Sequence, residues 1–143
     1  MVLEIILSIL LVLLNAFFVA AEFSIVKVRY SQIELKAKEG NQRAKQSKKI
    51  IDKLDIYLSA TQLGITLASL GLGWIGKPVF VKIITAIVQA FHFNLTDEVI
   101  HQIAFPVGFV IITILHIVFG ELVPKSIAIR KAEKTTLFVS IPL

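Results

Sequence analysis

Three long apolar runs, separated by polar stretches, organise this chain. The first, Val2 to Val26, is interrupted after Ser8 only by Asn15, Glu22 and Ser24. It has the length that a helix needs to cross about 30 Å of hydrocarbon. The second, Leu54 to Trp74, divides its faces cleanly at about 100° per residue. Ser59, Gln62, Thr66, Ser69 and Gly73 form a polar stripe, while Ala60, Gly64, Ala68 and Gly71 form a stripe of small residues opposite. Small residues let membrane helices approach closely, so that stripe is expected to receive another helix. Contact between copies through the second and third spans is the expected use. The third run opens at Thr96-Asp97-Glu98, a capping hydroxyl followed by acids that suit a helix N-terminus. It ends near Val123, with Thr113, His116 and Gly120 sharing a face.

The intervening stretches predict shorter elements. Lys27 to Lys53 holds nine Lys/Arg against Glu34, Glu39 and Asp52. Ser31-Gln-Ile-Glu34 fits a capping box, and Gly40-Asn41 fits a helix stop, so this linker reads as a helical hairpin lying along the membrane face. Gly73-Trp74-Ile-Gly76-Lys77-Pro78 is expected to break the second span, with Trp74 as an interfacial anchor. Residues 77–95, which include Lys82, then form a short interfacial or re-entrant helix. The fold class is an all-α membrane protein with three transmembrane helices at about 2–26, 54–74 and 97–123. Residues 135–143 read as a juxtamembrane segment cut from a longer protein.

Composition narrows the class. At 56% hydrophobic and a mean hydropathy of +0.82, the chain exceeds the apolar content of about half in soluble domains. A net charge of +5 would suggest nucleic acid in a soluble protein. Here the cations sit in two blocks, 27–53 and 125–134, two spans apart, and the 77–98 connection is neutral. The positive-inside rule puts both blocks in the cytoplasm and the N-terminus outside, with no nucleic-acid partner. The first run lacks a basic leader and carries Glu4, so it reads as a retained span rather than a cleaved signal. The absence of cysteine excludes disulfides and thiolate metal sites. Neither H-E-x-x-H nor G-x-S-x-G nor a glycine-rich phosphate loop occurs, so no enzyme is expected.

Glu121 is the residue that most needs an explanation, because a carboxylate at the end of a span is expensive without a partner or a task. Lys125, one turn on, is its simplest partner. Pro124 removes a backbone donor and can bend or end the helix, freeing carbonyls nearby. Asn15 lies near the middle of the first run, and the Gln62/Thr66/Ser69 stripe lies on the second. Apart from His116, all are hard oxygen donors, which suit magnesium or calcium rather than zinc or copper. The plain alternative is a set of interhelical hydrogen bonds, each below about 1 kcal/mol, a packing role for His116, and a Glu22 that snorkels toward Lys27 and Arg29.

Four segments carry a family resemblance: Asn15-Ala-Phe-Phe-Val-Ala-Ala-Glu22-Phe, Glu39-Gly-Asn41, Leu58-Ser-Ala-Thr-Gln62-Leu-Gly-Ile-Thr66 and Gly120-Glu-Leu-Val-Pro-Lys125. In order and spacing they resemble the transmembrane domain of the CNNM/CorC magnesium transporters, in the bacterial hemolysin-C-like branch, over essentially the whole chain. The resemblance implies a homodimer of three-span domains in the plasma membrane, N-terminus outside. It also implies a cytoplasmic CBS-pair domain beyond this sequence. Its implied task is magnesium transport, outward, with sodium as the family-level coupling ion; the alternative is a non-transporting module that senses magnesium or anchors a cytoplasmic regulatory domain. The implied ion site combines a distorted first span with polar groups of the second and the glutamate of the third, which map to Asn15, Ser69 and Glu121. Members commonly carry serine at the positions of Asn15 and Val19 and asparagine at that of Ser69. Gln62 or Thr66 is the expected substitute for the ligand lost at Val19. Gly64, Gly120 and Pro124 are expected to be structural. With one carboxylate, the site needs carbonyl dipoles, expected from first-span backbone around Phe18 and from the carbonyls near Pro124.

Overall fold

The computed structural model describes residues 2–92 and 96–143, except for the side chains of Asp97 and Ala104. Among the described residues the secondary structure is helical: α1 (Val2–Lys27), α2 (Tyr30–Lys38), α3 (Gln42–Asp52), α4 (Leu54–Ala90), α5 (Asp97–Leu115), a π-helical segment (His116–Leu122), α6 (Val123–Arg130) and α7 (Ala132–Val139). Three helices among the described residues are long and apolar enough to cross a membrane: Val2–Lys27, Leu54–Ala90 and Glu98–Arg130. Their outer faces carry bare apolar side chains, such as Leu70 at 67% and Phe109 at 65% exposure. Lipid, not water, is the solvent that such a surface fits.

Helix α1 lies antiparallel against α4, and the register can be followed along both. Glu4 pairs with Lys82 at 2.6 Å, Leu11 faces Gly71, Asn15 meets Ser69, Phe18 faces Gly64, and Gln62 donates to Glu22 at 3.4 Å. At Gly64 and Gly71 the small-residue stripe of the second span therefore receives α1 of the same chain. Of its four members Ala68 is buried and Ala60 is exposed.

The second span does not break at Gly73–Pro78. Helix α4 runs through Pro78 for 37 residues, about 55 Å at 1.5 Å per residue, and its last turns project beyond the start of α1. The segment expected as a separate interfacial helix is, as far as Ala90, the continuation of α4; residues 93–95 lie outside the described residues. Proline costs the helix one donor, which membrane helices tolerate when neighbours hold the backbone. Here α5 does so on both sides. A Cβ at Gly76 would come within 2.8 Å of Ile112 Cδ1, and one at Gly108 within 2.8 Å of Phe80 Cβ.

The basic linker forms two short helices. Helix α2 starts at Tyr30 with Arg29 as an N-cap that supplies no side-chain hydrogen bond, so Ser31 lies inside the first turn and does not act as the expected cap. Gly40, at φ +92°, ends it. Gly40 N donates to Ala37 O and Asn41 N to Lys36 O, the paired bonds of a left-handed C-terminal turn. Asn41 then caps α3, its side chain accepting from Ala44 N at 3.1 Å. A Cβ at Gly40 would meet no atom within 4 Å, so Gly40→Ala tests backbone strain alone. It is expected to cost about 1–2 kcal/mol, read as a fall in thermal midpoint; no change would contradict the strain.

The two basic blocks meet at one end of the bundle. Lys36 pairs with Glu133, and Ser47 Oγ donates to Thr136 O at 3.5 Å. Residues 135–143 contribute to α7, whose Thr136 and Val139 are buried.

Candidate ion site between the three spans

Asn15 is fully buried halfway along α1. Its amide donates through Nδ2 to Gly120 O at 2.9 Å. Pro124 explains why that carbonyl can take a partner from another helix: position 124 has no N–H to offer the carbonyl four residues before it. Gly120 leaves this approach unobstructed, and a side chain there would make Asn15 or His116 shift. A Cβ there would lie 3.1 Å from Asn15 Nδ2 and 3.3 Å from His116 Nδ1.

From Asn15 the polar contacts run outward. Ser69 Oγ donates to Asn15 Oδ1 at 3.4 Å and stands 3.4 Å from His116 Nε2, which in turn lies 3.4 Å from Glu121 Oε1. His116 Nδ1 is buried without a hydrogen-bond partner. His116 Nε2 therefore has Ser69 as its hydrogen-bonding neighbour and the Glu121 carboxylate at ion-pair distance; which of the two groups donates between Ser69 and His116 follows from the imidazole tautomer.

The π-helical segment is what joins His116 to Glu121. In an α-helix, residues five apart point to different faces. With the i→i+5 bonding of the segment, seen in Val123 N donating to Val118 O, each turn takes up an extra residue, and positions five apart fall into line. The distortion that the resemblance placed in the first span thus lies in the third. Helix α1 is unbroken from Val2 to Lys27, so the carbonyls around Phe18 sit within its regular ladder.

The other candidates are placed apart from this cluster. Gln62 and Thr66 are exposed; Thr66 Oγ1 donates back to Gln62 O at 2.9 Å, and Gln62 turns to Glu22. Val19 is buried at 4% exposure. Lys125 does not pair with Glu121: its ammonium lies 4.6 Å from the centroid of the Phe23 ring. His116 was missed as a member of the site because it is a single imidazole without an evident partner. Its only sequence signal was the shared face with Gly120.

Comparison with known proteins agrees with this architecture. Residues 6–143 match the family described as the cyclin M transmembrane N-terminal domain, CNNM. The UPF0053 protein YhdT of Bacillus subtilis (strain 168) is 49% identical over 93% of this chain and 28% of its own length. YrkA of the same organism is 47% identical over 94% of this chain and 30% of its own length. The Mycobacterium tuberculosis protein Rv1841c is 33% identical over 96% of this chain and 38% of its own length. The chain thus spans about a third of the length of the curated relatives it matches. A family match over nearly every residue, on a membrane domain of three apolar helices, makes this chain a member of the CNNM transmembrane-domain family.

Proposed function

We propose that this domain carries a divalent cation, magnesium, across the plasma membrane, outward, as a homodimer attached to a cytoplasmic CBS-pair domain. The observation that carries the reading is the cluster of Asn15, Ser69, His116 and Glu121 between three spans, with its uneven spacing. The anchoring bond from Asn15 to Gly120 is 2.9 Å. The three links beyond it are each 3.4 Å, longer than the roughly 2.7–3.0 Å of well-made hydrogen bonds. Donors held apart in this way have room to turn their lone pairs to a shared ion.

The donor set fits a hard cation. Asn15 Oδ1, Ser69 Oγ and a Glu121 oxygen are the oxygen ligands this chain offers. Magnesium keeps several of its waters in most protein sites, so three protein oxygens and retained water suffice. A single carboxylate leaves the bound ion a net positive charge, which favours release over tight storage. Sodium as coupling ion is part of the same proposal. Gln62 and Thr66, turned away from the cluster, serve at most as oxygens along the path to it.

Magnesium flux decides this reading. Full-length protein in liposomes loaded with a magnesium-sensitive dye should move magnesium down an imposed gradient. Flux equal to that of protein-free vesicles, with sodium gradients of either sign, would refute transport.

A further inference from the structure

We infer that the basic end of the bundle holds a binding site for the headgroup of an anionic phospholipid. A cavity of about 450 Å³ opens there, between the ends of two membrane helices and the corner that joins α6 to α7. Lys27, Arg29, Arg130, Lys131 and Lys134 line it, with Glu133 as the acid among them. The Glu133 carboxylate is held by Lys36 from α2. Among the described residues, no carboxylate lies within ion-pair distance of any of the other five cations. Five positive charges around one hollow repel each other, and a bound anion removes that cost.

The position selects the source of the anion. Lys27 is the last residue of α1, and Arg130 is the last of the third membrane-crossing helix, so the cavity lies at the level where the spans leave hydrocarbon. A phosphate at that depth belongs to a lipid whose chains lie along the apolar outer faces of the helices. Basic pockets at the ends of membrane helices take such headgroups, with about 1 kcal/mol for each Lys or Arg near the surface. Lys131 forms the corner, at φ −126° and ψ 50°, so a headgroup there also fixes the angle at which α7 leaves the third span.

The test uses full-length protein in detergent and a fluorescent phosphatidylglycerol. Unlabelled phosphatidylglycerol should displace it at a concentration at least about tenfold lower than phosphatidylcholine does, as two basic contacts would already give. Neutralising Arg130, Lys131 and Lys134 to glutamine should weaken binding by about fivefold for each charge removed. If that triple variant does not fold, Lys131→Gln alone should still show its fivefold loss. The equally large change Lys45→Gln/Lys48→Gln/Lys49→Gln, on the hairpin surface away from the cavity, should cost less than twofold. Equal displacement by the two lipids would overturn the site. So would an equal loss in the hairpin variant, which means diffuse attraction. Displacement by inorganic phosphate at the lipid's own concentration would assign the cavity to a soluble anion and overturn the lipid.

Discussion

Glu121→Gln is expected to abolish the response to magnesium while leaving the domain folded. Glutamine keeps the length and one carbonyl oxygen, so an oxygen can still face His116 Nε2, 3.4 Å from Glu121 Oε1 in the native protein. What it loses is the negative charge, the only one in the cluster. A charged acceptor is worth roughly 1.5–3 kcal/mol where a neutral one gives about 1, and a divalent ion feels that difference more than a hydrogen-bond donor does. Magnesium affinity should fall by about tenfold or more, enough to remove the response at magnesium concentrations near wild-type half-saturation, where the response is read. Two readings check it: the rise in thermal midpoint on adding magnesium, which should vanish, and the midpoint without magnesium, which should stay within a degree or two of wild type. A variant that still responds to magnesium would remove Glu121 from the site. A variant whose midpoint collapses without magnesium would make the carboxylate a structural group instead.

Much of the fold was legible because each span announces itself by length and hydropathy. The break between α2 and α3 was legible because Gly40 and Asn41 admit few other roles. The extent of α4 was not. Gly73, Gly76 and Pro78 are helix-breaking residues in water, and the packing of Ile112 against Gly76 and of Phe80 against Gly108 is what holds the helix on either side of the proline. Packing of that kind is a property of two helices together and leaves no mark on either alone. The site was legible in part. Asn15 and Ser69 were found as polar groups in apolar surroundings, and they do meet. The place of His116 required the π-helical segment, and an α-helical wheel separates His116 from Glu121. The proline and glycine flanking Glu121 marked a distorted stretch, but not which carbonyl would be freed or that Asn15 would reach it.

The small-residue stripe illustrates the same limit in its choice of partner. Its geometry called for a close neighbour, and the neighbour is α1. Gly64→Leu should therefore act first on the joint between α1 and α4. A Cβ at Gly64 would lie 2.6–2.7 Å from three carbons of the Phe18 ring, well inside contact distance, and leucine adds a branched group beyond it. The ring has little room to retreat, since Phe17 packs edge-on against it with centroids 5.4 Å apart. Overpacking typically costs about 1–3 kcal/mol, and a clash with a whole ring face belongs at the upper end or beyond. Ser69 and Asn15 lie little more than one turn further along the same joint, so a forced separation also opens the candidate ion site. The expected result is a lower thermal midpoint together with a weaker magnesium response. Gly64→Ala should show a smaller form of both defects, and Phe18→Leu placed on top of it should restore part of each. If Gly64→Ala matches wild type in midpoint, or if Phe18→Leu simply adds its own loss, the α1–α4 contact at Gly64 is not what holds the site together.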